Sequence, residues 1–295
     1  MHTPVLLEEV MRMANIQPGE TIVDGTLDGG GYARASLEVL QGDGVFAGID
    51  WDESMIRTTG KELEKLSSPR LRVIAIHGNF ADIPSLIREQ GIESADVVVL
   101  DLGFSSLQVD RAGRGFSFMR DEPLIMTYSD EMTPVQTLLK QLKEHDLANI
   151  FKEIGEERFA KRIAKAIKEY LRKGDIQTTA KLAEIVKGAV PTNYEHGRIH
   201  PATRTFMALR IYANQEFENL ERILAAVPSI LTTGGRMIIV SFHSHEDRIV
   251  KQRFREFAKA GMGTLITKKP ITPTAHEIAS NPRSRSAKLR GLIRT

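Results

Sequence analysis

The sequence predicts a doubly wound α/β fold, with a mostly parallel sheet covered on both faces and an inserted helical domain. Three observations carry that prediction. Four apolar runs, "TIVD" (21–24), "GVFAGID" (44–50), "RLRVIAIHG" (70–78) and "ADVVVLDLG" (95–103), are separated by helical stretches that begin near Gly31, Glu53 and Ala81. Strands that are apolar without alternation are buried on both faces, as in a parallel sheet between two helix layers. After "DLGFSSLQVD" the pattern turns helical, at 133–143, 145–154, 156–173 and 178–189, with no strand between. Strand character returns at "GRMIIVSFH" (235–243), after a helical stretch from Ala202 to Leu231. The simplest account places a helical insertion at 107–200 within a domain built from 1–106 and 201–295. A chain of 295 residues with 41% hydrophobic content has enough apolar material for a large core and a satellite core.

At the N-terminal end, "MHTPVLLEEVMRMAN" holds Glu8, Glu9 and Arg12 among apolar residues, so it reads as an amphipathic helix and not as a signal peptide. No apolar run approaches the roughly 18 residues of a membrane span, and cysteine is absent, which excludes disulfides and thiolate metal sites. A soluble cytoplasmic protein is expected.

The first strand is followed by "DGTLDGGGY", with Gly25, Gly29, Gly30 and Gly31 in the seven residues after Asp24. In an open parallel sheet the first strand-to-helix turn borders the ligand, at the carboxyl ends of the strands. The dinucleotide fingerprint fails here: Gly29 and Gly31 have the right spacing, but Arg34 occupies the third position. Asp50 ends the second strand nineteen residues after Gly31, where a carboxylate can accept both ribose hydroxyls of an adenosine. Asp52 is placed to cap the helix that follows. Asp101 ends the fourth strand, and Asn79 and Phe80 follow the third. Two strand-end acids, a glycine-rich turn and a strand-end aromatic suit an adenosine-containing, cationic cofactor, a description that S-adenosylmethionine meets. The competing reading is that either acid only caps a loop.

Charge is unevenly spread although the net charge is only +2. From Arg158 to Lys173 seven basic residues face one acid, Glu169, opposite an apolar stripe of Phe159, Ile163, Ile167 and Tyr170; residues 281–295 hold five basic residues and no acid. Such clusters attract polyanions, though a solvated helix face is the simpler reading of either alone. "DRAGRGFSFMR" interleaves Arg111, Arg114 and Arg120 with Phe116 and Phe118, a mixture that can hold phosphates and stack on unpaired bases. One of the two phenylalanines is expected in the insert core. Arg204 and Arg210 are too far apart around a helix for both to face a substrate. "SFHSHEDR" (241–248) invites a metal reading, but no second cluster has matching spacing. No metal is expected. His243 is expected at the fifth strand's carboxyl end, able to take a proton near neutral pH.

"DGTLDGGGYARAS", "GID", "HGNF", "LDLGFSSLQVDRAGRGFSFMRDEPL", "GEERFAKRIAKAI", "HPATRTFMALRIYANQE", "GGRMIIVSFHSHEDRIVK" and "NPRSRSAKLR" together resemble the ribosomal RNA small subunit methyltransferase H family, in register from His2 to Arg290. The resemblance implies a class I methyltransferase sheet and methyl transfer from S-adenosylmethionine to N4 of a cytosine in small-subunit ribosomal RNA, free or in the small ribosomal subunit. It also places Gly30, Gly31, Tyr32, Asp50, Phe80, Asp101 and Gln108 on the family's cofactor-contact positions. Asp28 stands where the family usually has glycine, Tyr32 where it has histidine, His245 where it has leucine, and Ile125 to Ser129 replace a charged stretch. The alternative is an RNA-binding ribosome assembly factor that keeps the fold without turnover. With no cysteine available, direct transfer to an exocyclic nitrogen is expected, with Asp101 and His243 as the residues that handle the proton.

Overall fold

The computed structural model of the protein describes residues 4–103, 113–194 and 200–295, so Gln108, Arg111 and the expected domain limit at 107 lie outside the described residues. The chain divides into two compact units, Met1–Ser105 with Phe217–Thr295, and Ser106–Glu216. In chain order the strands are β1 (Thr21–Asp24), β2 (Gly44–Asp50), β3 (Leu71–His77), β4 (Ala95–Asp101), β5 (Leu231–Ser241), β6 (Gly263–Leu265) and β7 (Lys288–Arg294). The helices are α1 (Leu7–Ala14), α2 (Gly31–Leu40), α3 (residues 53–64, with a π-helical turn Ile56–Gly60) and α4 (Ile83–Glu89). There follow α5 (Val135–Gln141), α6 (Glu144–Asn149), α7 (Ala160–Leu171), α8 (Thr179–Ala189), α9 (Thr203–Ala213), α10 (Glu216–Ile230), α11 (Ser244–Lys259) and α12 (Ala275–Ser280). None of the described helices is long and apolar enough to cross a membrane.

In the first unit the strands form one sheet in the order β3-β2-β1-β4-β5-β7-β6. The first five are mutually parallel, while β7 runs antiparallel to both neighbours. Alternate residues of each strand serve different cores: Val23, Ala47, Val98, Leu100, Met237 and Ile239 pack with α4, α10 and α11, whereas Ile22, Phe46, Val97, Val99, Ile238 and Val240 pack with α1 and α2. Burial on both faces is why these strands read as unbroken apolar runs. The chain order reverses between β1 and β4, whose carboxyl ends therefore border the usual ligand position of such a sheet.

Of the five basic residues of 281–295, three are engaged inside the fold. All three belong to β7: Arg290 is buried and donates to Asp247, Lys288 reaches the same carboxylate at 3.4 Å, and Arg294 donates to the Leu231 carbonyl. Lys288–Arg294 is thus sheet and not a free polycationic tail, while Arg283 and Arg285 are exposed on the 3-10 turn Pro282–Ser286 before it.

The second unit is helical. Leu124, Leu139, Phe151, Ile163, Ile167, Leu182, Val186 and Phe206 share its core. Thr178 caps α8 by accepting the Lys181 N–H. The unit extends past the His200 limit drawn from sequence because α9 buries Phe206, Ala208 and Leu209 in this core. The helical stretch expected over 202–231 is broken where Gln215 takes a left-handed backbone (φ 51°) and the Asn214 amide turns inward, donating to the carbonyls of Met126 and Arg210.

Candidate active site

The turn after β1 is stitched to both neighbouring strands. Gly25 N–H donates to Val99 O (3.0 Å), Leu27 N–H to Ile49 O (2.9 Å), and Asp101 N–H to Thr26 Oγ1 (2.8 Å). A Cβ on Gly25 would lie 2.4 Å from a Leu100 methyl, so the turn accepts only glycine there. Gly30 has φ +72° and begins α2, and no side chain caps that helix. The first amides of α2 therefore remain available to an anionic group, aided by the helix dipole. Gly31 serves a packing need: a Cβ there would come within 2.2 Å of Pro4, whose segment crosses the start of α2. That segment is held by Leu6 N–H donating to Glu277 Oε1 (2.7 Å) and by the Tyr32 hydroxyl donating to Val5 O.

Around this turn stand four carboxyl groups. Asp50 is buried, and its two oxygens accept the N–H groups of Asp28 (2.8 Å) and Asp52 (2.8 Å), leaving one lone pair on each oxygen for another donor. Burial pushes it up to about 7 in spite of those bonds. Burial also raises Asp24 to about 7, against the pull of the Thr26 N–H and with the charge of Asp28 adding to the rise. Asp101 is held well above the ordinary carboxylate range, first by burial and then by the charges of Asp28 and Asp24. Asp24 Oδ2 and Asp101 Oδ1 have no hydrogen-bond partner. Buried acceptors without donors are costly, and these call for a cation or hydroxyl donors to complete them.

Tyr32 is 5% exposed, and its hydroxyl also touches the Asp101 carboxyl. Burial and the charge of Asp101 raise it well above 10. A hydroxyl has one proton. Directed to Val5 O, that proton is not at the same time given to Asp101, so the hydroxyl is shared between the two acceptors.

The structure thus brings Gly30, Gly31, Tyr32, Asp50 and Asp101 together at the strand ends, and Phe80 joins them with its Cβ 3.2 Å from the position a Gly25 Cβ would take. Phe80 opens a short 3-10 turn capped by Asn79. Asp52 caps α3, as its position in the sequence suggested. Gln108 lies outside the described residues. His243 caps α11: Nδ1 accepts the Glu246 N–H, and Nε2 is 2.9 Å from Glu246 Oε1. Both ring nitrogens face the start of its own helix, and the Phe217 ring packs 5.5 Å from the imidazole. Asp24 escapes the sequence reading, although "TIVD" ends in an acid just as "GVFAGID" does.

Among the candidate phosphate-binding residues, several are engaged internally. Arg114 donates to Thr127 O and Asp130, Arg204 to Glu156 O, and Arg210 makes a bidentate pair with Glu216 at 2.9 and 3.0 Å. Phe118 packs on Phe206 in the helical core, and Phe116 stacks on Tyr128. On α7, Lys168 turns inward to the carbonyls of Leu139 and Lys140, while Arg162 lies over the Phe159 ring and Lys165 faces Glu169.

A sequence profile of the MraW methylase family matches residues 1–295. Three proteins named ribosomal RNA small subunit methyltransferase H are similar over their length. That of Methylobacterium nodulans is 46% identical, with 100% of this chain and 90% of the relative covered. Those of Syntrophotalea carbinolica and Syntrophobacter fumaroxidans are 43% and 41% identical; each alignment covers 99% of this chain, with 98% and 95% of the relatives.

Proposed function

The chain belongs to the MraW methylase family, and from that premise we propose that it transfers a methyl group from S-adenosylmethionine to N4 of a cytosine in small-subunit ribosomal RNA. Its sheet is a doubly wound class I methyltransferase sheet. The observation that carries the reading is the pair of partnerless buried oxygens, Asp24 Oδ2 and Asp101 Oδ1, beside the uncapped start of α2. Anionic acceptors and free amides on either side of one turn fit a ligand with a cationic centre and a carboxylate. S-adenosylmethionine supplies an electrophilic methyl group on a sulfonium cation.

In this reading the α2 amides around Gly30, Gly31 and Tyr32 hold the carboxylate end of the cofactor. Asp50 offers its remaining lone pairs to the ribose hydroxyls, and Phe80 presents an apolar surface to the adenine. The place of Gln108 rests on the family resemblance. The N4 amine of cytosine is a poor nucleophile because its lone pair is delocalised into the ring. Asp101 accepts a hydrogen bond from that amine, favours a pyramidal nitrogen, and takes the proton as nitrogen gains the methyl group. His243 fixes the junction of β5 and α11, which makes it a positioning residue. The helical unit is the substrate-recognition domain, with Lys161, Arg172 and Lys173 of the basic segment as phosphate contacts. A cytoplasmic location, where small-subunit ribosomal RNA is assembled, belongs to the same proposal.

The test is to incubate the protein with labelled S-adenosylmethionine and undermodified small subunits and to map the label. Incorporation at N4 of a cytosine supports the proposal. RNA binding without incorporation supports the assembly-factor reading instead.

A further inference from the structure

The face of α11 away from the strand ends forms a basic hollow that the methyl-transfer reading does not use. Asp247, Lys251 and Arg255 follow one another at four-residue spacing, so their side chains lie in one row along the helix. Opposite that row run β7 and the segment after β6. Lys251, Arg255, Lys268 and Arg290 surround the hollow, with Phe254 and Leu265 among its apolar lining. Thr267 Oγ1 donates to Lys269 O at 2.7 Å and closes the turn that carries Lys268.

The charges in this region do not cancel. The single carboxylate facing the row, Asp247, is taken up by Arg290, with bonds of 2.6 and 3.3 Å, and by Lys288 at 3.4 Å. Glu256, on the same helix, is drawn to Arg253 and Gln252. Among the described residues, Lys251, Arg255 and Lys268 have no ion-pair partner. Three unneutralised cations at one concavity repel each other, and an anion seated among them relieves that repulsion. The size of the hollow restricts the anion. Open on one side, it offers space for roughly one water-sized group among these cations. A phosphoryl oxygen fits such a space.

We propose that this hollow is a second RNA-backbone contact, in which Lys251, Arg255 and Lys268 hold a phosphodiester of the substrate without reading its sequence. The identity of the polyanion as RNA rests on the proposed function. The phosphate chemistry rests on the hollow alone, and a free phosphate ion is the other source of the same group.

The experiment measures binding of a small-subunit ribosomal RNA fragment to the full chain by fluorescence anisotropy across a salt series. It compares the parent, Lys268→Gln, and the triple variant Lys251→Gln, Arg255→Gln, Lys268→Gln. The triple variant is expected to bind more weakly and to flatten the slope of log K against log salt by about 0.7 to 0.9 for each phosphate it no longer neutralises. Lys268→Gln, at an exposed turn, is expected to show part of the same change. Calorimetric affinity for S-adenosylmethionine stays at the parent value in both. Inorganic phosphate at matched ionic strength is expected to displace no more RNA than chloride does. Unchanged slopes in both variants overturn the proposal, as does specific displacement of RNA by phosphate, which would make the hollow a free-phosphate site. Binding is scored separately from methyl incorporation. A protein that binds RNA through the hollow but transfers no methyl group therefore refutes the enzymatic reading and leaves this one standing.

Discussion

The Tyr32 hydroxyl donates to the Val5 carbonyl while lying against the Asp101 carboxyl, so one side chain joins the segment before α1 to the end of β4. Tyr32→Phe removes the shared hydroxyl and leaves a buried carbonyl and a buried carboxyl without it. A stability loss of about 1 to 3 kcal/mol is expected in urea unfolding, with the denaturant slope unchanged.

Asp50 sets a pH dependence for cofactor binding. Its pKa of about 7 in the free protein means that it is half protonated near neutrality, and it must ionise to accept both ribose hydroxyls strongly. Affinity for S-adenosylmethionine is expected to rise with pH and level off above 7. One unit below that pKa it should be about tenfold weaker. Calorimetry in buffers of different ionisation enthalpy would show the proton released, and Asp50→Asn should lose that part of the pH dependence.

Asp24 has a stability effect of definite sign. Its folded pKa, about 7, lies above the ordinary 3.8, so the folded state binds the extra proton between those values. Its stabilising contribution is full below about 3.8 and is lost as pH rises toward 7. Asp24→Asn cannot ionise, so its melting temperature relative to the parent should improve as pH rises from about 4 to about 7 and level off above that. A gap that does not change with pH would refute the raised pKa.

Asp247 has the opposite sign. Burial alone would raise it, but the bonds and charges of Arg290 and Lys288 outweigh burial and hold it below 3.8. Its contribution is therefore present above the ordinary carboxylate pKa and is lost as the solution is acidified through the folded value. Asp247→Ala leaves the Arg290 guanidinium buried without its partner, a change that costs about 3 to 5 kcal/mol in comparable cases. Chemical unfolding at neutral pH would measure it.

Asp101→Asn separates binding from chemistry. The amide keeps the shape but cannot take a proton from N4. Single-turnover methylation is expected to fall by more than tenfold, with RNA affinity unchanged and cofactor affinity reduced less than the rate. Equal losses in cofactor affinity and rate would move Asp101 into the group of cofactor ligands with Asp50.

The strand ends were legible because three of the parallel strands, β1, β2 and β4, are apolar runs that stop at an acid, and that pattern is local. Asp50, Asp101 and the glycine turn could be read from it. What could not be read is what each group touches. The basic residues of 281–295 look free in a count of charges, yet Arg290 is spent on Asp247, 43 residues away. Lys168 belongs to the basic face of α7 by periodicity, yet it donates to the carbonyl ends of a neighbouring helix. Gly31 reads as a place for a ligand to approach the backbone, and the room it makes for Pro4 is a contact that the sequence does not reveal. His243 has the residue type and strand-end position for proton transfer, and it also caps α11 through Nδ1, a contact that residue type does not reveal. Each of these outcomes depends on a contact between distant parts of the chain or on a side chain's orientation, which neither residue type nor local period encodes.

The position of β7 imposes an order on assembly. It follows β6 in the chain but lies between β5 and β6 in the sheet, with Ser241 to Arg236 of β5 paired to Lys288 to Ile293. During synthesis the five parallel strands can associate as they emerge, but β6 has no neighbour to join until residues 288–294 have been made. In that interval β5 presents an open edge carrying Ile238, Ile239 and Val240, the kind of edge that recruits foreign strands. Chains halted before Lys288 should therefore accumulate as aggregates and not as soluble intermediates, and the sheet is completed only when β7 joins the β5 edge and brings β6 with it.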